Sequence, residues 1–332
     1  MQQAHTGQTD FIAHSTRLAR LSLGGILGFS LVRLGVAERA RRGVLASGCV
    51  ICVSFHDPRP PLFERCIRWL RDGGFTFISE DRVIAISKGQ ADATPGAVWI
   101  SFDDGWRGNL SLVPVIERYG VPVTIFLATE AVEPPGVFWW TCVYDHRSEL
   151  PDPFRHSVLR LWDLPETERR EIVEPVLRRH RGEYARQALT IEEVQTLARL
   201  PLVSFGSHTV GHPSLPRCDA GQLEDELRVS KKSIEGWTGR PVKVLAYPRN
   251  EFDGREKDAL LRNGYELAVT VEERPYCCAE DDAYYVPRLV VGEDSFFSAN
   301  TCKMVGAWRP YVDWARRITS SVSGQRRSTV PL

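Results

Sequence analysis

Short apolar runs alternate with helix-spaced segments along most of the chain. The run Cys49 to Phe55 reads as a buried strand, and Pro61 to Gly73 follows with Phe63, Ile67 and Leu70 at helical spacing. Val98 to Phe102, Pro122 to Ala128, Leu202 to Phe205, Val242 to Tyr247, Leu267 to Val271 and Val286 to Val291 read as further strands. Asn109 to Tyr119, Asp219 to Thr238 and Arg255 to Gly264 read as the helices between them, the last two closed by glycines. This alternation predicts an α/β fold with a mainly parallel sheet. From Glu130 to Ile191 the rhythm breaks. Phe138-Trp139-Trp140 opens that stretch, and Arg/Glu-rich segments such as Pro165 to His180 fill it, which predicts a helical insertion over about 131–190.

The two ends differ from the middle. Leu21 to Val36 is apolar but is interrupted by Arg33 and carries several glycines. It is too short and broken for a spanning helix, which needs roughly 20 apolar residues. No basic cluster precedes it and no small-residue cleavage site follows, so it does not read as a secretory leader. Arg17, Arg20, Arg33, Arg39, Arg41 and Arg42 flank it. Residues 1–45 are therefore expected to form a helical arm, packed on the domain or lying on a membrane surface; the small apolar face favours packing. Residues 46–310 form the main domain, and the polar, basic 311–332 a disordered tail.

Composition narrows the function classes. The 332 residues are 43% hydrophobic and 25% charged, and the formal net charge is zero. A nucleic-acid binder would carry a basic excess, so nucleic acid is not an expected partner. Eight cysteines are present. Cys49 and Cys52 form a C-x-x-C without a second pair, so buried, reduced thiols are expected throughout, and with them a cytoplasmic chain, membrane-associated if the arm lies on a bilayer.

Two motifs carry chemistry. In Ser101-Phe102-Asp103-Asp104-Gly105-Trp106 an apolar strand runs into two carboxylates and a glycine. The C-terminal strand ends of α/β barrels form the active face, and two carboxylates there suit a division of labour between binding a cation and moving protons. Asp and Gly also dominate turns, so this motif alone leaves both readings open. In Ser207-His208-Thr209-Val210-Gly211-His212 two His stand four apart after another apolar strand. On a helical turn they would share one face and hold one ion. Two His and one carboxylate leave open positions for water and substrate, as catalytic zinc sites do.

With these motifs the chain resembles the NodB-type polysaccharide deacetylases, carbohydrate esterase family four, from about Cys49 to Phe297. Ser101 to Gly105 resembles the family's first motif, His208, Thr209 and His212 its second, and Val121-Pro122-Val123-Thr124-Ile125-Phe126 an adjoining strand. The resemblance implies a distorted (β/α) barrel, Asp103 as general base, and Asp104, His208 and His212 as ligands of zinc or another divalent transition metal. The substrate it implies is an N-acetylated sugar, in a polysaccharide or in a lipid- or nucleotide-linked precursor.

Two departures matter. Where the family's third motif carries an Arg beside the base, this chain has Ala246-Tyr247-Pro248-Arg249-Asn250, so Arg249 or Arg288 is the candidate cation for Asp103. No His follows His212 to serve as the late-motif acid. Val53-Ser54-Phe55-His56-Asp57, however, resembles the start of the circularly permuted poly-N-acetylglucosamine deacetylases, which makes His56 the candidate acid. The backbone at Pro248-Arg249 is the candidate oxyanion contact. Trp106, Trp139 and Trp140 would wall a sugar ring or pack in the core. The altered third motif also leaves room for an inactive binding scaffold, and the motifs alone do not separate N-acetyl substrates from formyl, ester or non-sugar amide ones.

Overall fold

The computed structural model describes residues 24–313. Its centre is an eight-stranded parallel sheet: β1 (Ile51–Phe55), β2 (Thr76–Phe77), β3 (Ala97–Phe102), β4 (Val123–Leu127), β5 (Val203–Ser207), β6 (Val244–Ala246), β7 (Leu267–Val269) and β8 (Leu289–Val290). The order is β7-β6-β5-β4-β3-β1-β8, with β2 on β3. Val286 bridges Val269 of β7, and Leu289 pairs with Val53 of β1, so the stretch 286–290 links the two edges of the sheet. The result is the distorted (β/α) barrel that the pattern and the resemblance predict.

Parallel strands with helices outside and side chains inside are buried on both faces, which is why their sequences read as continuous apolar runs. Every residue of β1, β3 and β4 is buried. The side chains divide by parity. Ile51, Val53, Phe55, Ile100, Phe102 and Ile125 pack outward with Phe63, Ile67 and Leu70 of the helix Pro60–Asp72. Cys52, Trp99, Phe126, Val244 and Ala246 fill the inside. Gly206 of β5 belongs to this interior, since a Cβ there would sit 2.4 Å from the Phe126 ring. One layer below the strand ends the interior is polar. Trp99 Nε1 donates to Thr124 Oγ1 (3.0 Å), the Thr124 and Ser204 hydroxyls share a hydrogen bond (2.8 Å), and Ser204 reaches Glu80 (3.3 Å).

The predicted strands and helices are present with shifted ends. β2, the helix Glu80–Ser87 capped by Ser79, the helix Ile191–Leu197 capped by Thr190 and the helix Phe297–Lys303 are among the elements that escape the sequence reading. Between β4 and β5 the chain leaves the barrel as short helices and the longer helix Glu166–His180. Residues 24–33 and Val36–Ala46 are helical, and no described helix is long and apolar enough to cross a membrane. The expected tail starts too early at 311, because residues 308–313 are helical; the rest of it, like the arm's first half (residues 1–23), lies outside the described residues. The expectation of reduced thiols throughout is also corrected. Cys49 and Cys277, 228 positions apart, form a disulfide, which takes away the thiol-based ground for a cytoplasmic setting. Cys52, Cys66, Cys142, Cys218, Cys278 and Cys302 are free.

Candidate active site

The site forms at the C-terminal ends of β1, β3, β5 and β6. Asp103 continues the inward parity of Trp99 and Ser101, so its carboxylate enters the barrel. There Arg288, fully buried, meets it bidentately: Nη1 to Oδ1 at 2.6 Å and Nη2 to Oδ2 at 2.8 Å. Arg288 also donates to Ser101 Oγ (3.1 Å) and to the Thr270 carbonyl (3.2 Å). Burial pushes the Asp103 carboxyl up, but the Arg288 charge, with His208, more than offsets it and holds the group below its ordinary value. Of the two cations considered for this place, Arg249 is elsewhere. It pairs with Glu251 at 3.1 Å and lies over the Trp162 ring at 4.6 Å.

Asp104 would point outward by parity. Its φ of +71°, followed by Gly105 at +82°, turns it back over the strand end. Asp is one of the few side chains that tolerate this conformation, and a Cβ at Gly105 would meet Leu127 at 2.5 Å. Trp106 Nε1 donates to Asp104 Oδ2 (2.9 Å), while Oδ1 faces His208 Nε2 at 3.4 Å and His212 Nε2 at 3.7 Å.

The two His do not sit on a helical turn, contrary to the sequence expectation. His208 directly follows β5, and Thr209 and His212 both have positive φ in the same loop. Glu226 of the helix Ala220–Thr238 shapes this loop by accepting from the Val210 and Gly211 amides (2.7 and 3.0 Å), and Thr209 Oγ1 accepts from the His212 amide (3.1 Å). His208 Nδ1 lies 2.8 Å from the Ala246 carbonyl, so that nitrogen carries the hydrogen and Nε2 is aimed at Asp104.

Asp104 Oδ1 and the two Nε2 atoms lie within 4.8 Å of one another in a buried setting. The charges suit a cation there. Burial and the neighbouring His208 press the His212 imidazole down to about 3, so it stays neutral; His212 Nδ1 is buried without a hydrogen-bond partner among the described residues. Burial also works against the charge of His208, yet its hydrogen bond to Asp104 and the two Asp charges raise it. Two ring nitrogens and a carboxylate ring this buried space, a donor set suited to a divalent transition metal with open coordination positions.

His56 follows β1. Its amide and that of Asp57 donate to Glu293 Oε1 (3.0 and 2.6 Å), and its carbonyl accepts from Asn109 (2.9 Å). Phe55 pairs with Phe102 and its carbonyl accepts from the Asp103 amide (2.9 Å), so His56 stands beside the Asp pair at the neighbouring strand end. Pro248 and Arg249 follow β6 next to Ala246. Pro248 has no N–H, so of the two only the Arg249 amide can donate.

The three tryptophans divide. Trp106 holds Asp104. Trp139 is buried, donates to the Gly211 carbonyl (3.1 Å) and packs against Trp162 and the Arg169 guanidinium, so it belongs to the core. Trp140, like Trp106, is partly exposed and stands against the site, with its ring 4.6 Å from that of His212. It lines a cleft of about 670 Å³ with Thr141, Tyr144, His156, Trp162 and Gln187. Sequence reasoning missed Glu226 and Glu293. Each stands beside other acids (Glu224-Asp225-Glu226 and Glu293-Asp294), and only the fold brings it to the backbone of a motif.

Residues 90–268 match the family model for polysaccharide deacetylases, a span that holds Asp103, Asp104, His208 and His212 but not His56 or Arg288. The candidate polysaccharide deacetylase YxkH of Bacillus subtilis (strain 168) is 21% identical over 224 residues, 67% of this chain and 61% of that protein, so the chain spans about three-fifths of this relative. Among solved structures, the Streptococcus pyogenes deacetylase PplD, in complex with acetate, is similar with a TM-score of 0.56 and 16% identity, covering 77% of this chain and 98% of that one. IcaB from Ammonifex degensii gives 0.55 and 15%, covering 79% and 98%. These two likenesses are of fold. The family-model match takes in more than half of the 332 residues, and the chain belongs to the polysaccharide deacetylase family.

Proposed function

We propose that the chain is a metal-dependent hydrolase that removes the N-acetyl group of an amino sugar, in a polymer or in a lipid- or nucleotide-linked precursor. One observation carries the reading. A buried three-ligand set (Asp104, His208, His212) adjoins a carboxylate, Asp103, that Arg288 holds ionised 2.6 Å away. Family membership supports it, as does the acetate in the complex with PplD.

In this reading Asp104, His208 and His212 hold the ion, zinc or another divalent transition metal. When bound, the ion would supply Lewis acidity, which typically lowers the pKa of a water toward roughly 7 and stabilises developing negative charge. Asp103 accepts the proton of the attacking water, and Arg288 fixes its orientation and keeps it ionised until that moment. The Arg249 amide donates to the developing oxyanion, a contact typically worth about 3 kcal/mol. His56 gives its proton to the departing amine, so acetate and the free amino sugar leave. Trp140 offers a ring face to the sugar at the mouth of the cleft.

The test is acetate release from a panel of N-acetylated sugars by zinc-loaded protein, with formyl and ester analogues alongside. The account expects release from N-acetyl substrates, loss on chelation and recovery on adding zinc. Metal-loaded protein that cleaves only formyl or ester groups, or nothing on the panel, overturns it.

A further inference from the structure

The insertion carries a second cluster of metal-ligating side chains, far in sequence from the first and built from different elements. His146 caps the C-terminus of the helix Trp139–Asp145, and His180 is the last residue of the helix Glu166–His180. Their imidazoles stack in parallel, centroids 3.6 Å apart and planes 8° apart. A carboxylate stands at each edge of the stack. Glu149 lies 2.7 Å from His180 Nε2 and 3.9 Å from His146 Nδ1; Glu183 lies 3.0 Å from His180 Nδ1 and 4.0 Å from His146 Nε2. Each acid therefore faces a nitrogen of both rings. Ligand atoms of His146, His180 and Glu183 all fall within 4.8 Å of one another.

We propose that His146, His180 and Glu183, with Glu149 beside them, bind a second divalent transition-metal ion that staples the two helices of the insertion. Two imidazoles and a carboxylate are the donor set that zinc, nickel and copper take. Two parallel rings cannot both point a lone pair at one ion, so binding turns one ring about its Cβ–Cγ bond. His146, 25% exposed and with its ring nitrogens 3.9 and 4.0 Å from the two carboxylates, is the ring with room to turn. The negative end of the 15-residue helix at His180 favours a cation there. The position gives the ion a consequence. The helix that His146 caps begins with Trp139 and Trp140, which stand against Gly211 and His212. The same helix lines the cleft through Thr141, Tyr144 and Asp145. An ion at its far end fixes the wall of the site without touching the reaction.

This inference rests on the helical insertion and not on the reaction proposed above. Its test counts zinc ions per chain, by elemental analysis after loading the full-length protein with zinc and removing the excess. The wild type should hold two ions. His146→Gln and His180→Gln should each hold one and lose the weaker binding phase in titration calorimetry. Asp104→Asn/His208→Gln should also hold one, and zinc should still raise its melting temperature, an effect that adding His180→Gln should remove. A single wild-type ion that His180→Gln keeps, or two ions in His180→Gln, overturns the second site. Loss of the ion only in Asp104→Asn/His208→Gln would leave the reaction proposal standing and sink this one. A cluster that responds to pH alone would show as stabilisation below pH 6 with no zinc dependence, and that too rejects it.

Discussion

The end of β3 and the insertion between β4 and β5 both present side chains to the same site, and they do so by opposite means. At the strand end, position follows from parity and one left-handed residue. Asp103 goes in with Trp99 and Ser101, and Asp104 is turned back at φ +71°. In the insertion, position follows from packing. Trp139 is wedged between Trp162 and Arg169, Arg169 is held by Glu166 (2.7 Å), and Trp140 is thereby laid on His212. The first device is local and recurs after β5 and β6, where Thr209, Arg249 and Asn250 also have positive φ. The second depends on many contacts at once. On the proposed function, chemistry is placed by the first and the substrate wall by the second, so mutations in the two regions should fail differently.

The largest effect is expected at Arg288. Arg288→Ala leaves a buried carboxylate unpaired and should cost roughly 3–5 kcal/mol in urea unfolding. Arg288→Ala/Asp103→Asn should recover most of that stability without recovering activity. A single variant with wild-type stability would show that the strand end is less coupled than its geometry implies.

Glu80 probes the barrel interior under the site. Burial raises its carboxyl to about 7 from 4.5, against the Thr124 and Ser204 hydroxyls, which lower it. Between these values the native state keeps a proton that the unfolded chain releases, so this group's contribution to stability falls as pH rises through that window. Glu80→Gln should therefore be more stable than wild type at pH 8, by roughly 1–3 kcal/mol, and close to it at pH 4. Equal stability gaps at the two pH values would refute the buried acid.

The smallest effect belongs to the wall. Trp140→Ala should raise KM about tenfold with kcat nearly unchanged, a loss of about 1.4 kcal/mol in uniform binding. A fall in kcat of a hundredfold or more would move Trp140 from the wall into the chemistry, through His212.

The two regions also differed in what the sequence disclosed. Strands buried on both faces announce themselves as apolar runs, so β1, β3, β4 and β5 and the motifs at their ends were readable. The His pair was found, but its helical turn was not there, because spacing four apart fits a loop with two left-handed residues as well as a helix. Arg288 was one of two candidates, and nothing local could choose between it and Arg249, since the contact with Asp103 spans 185 positions. Distance hid the Cys49–Cys277 bond for the same reason. In the insertion the charge and aromatic content predicted helices but not which tryptophan would face the site. That was decided by Glu166, Arg169 and Trp162, whose mutual contacts leave no periodic trace.

The most direct test of the central claim is a paired measurement on Asp103→Asn, bound zinc and the rate of acetate release. If Asp103 moves the proton while Asp104, His208 and His212 hold the ion, zinc content stays at the wild-type level and kcat falls by about 10² to 10⁴, the usual worth of a general base. Acetate release within a few-fold of wild type at full zinc occupancy would contradict the assignment.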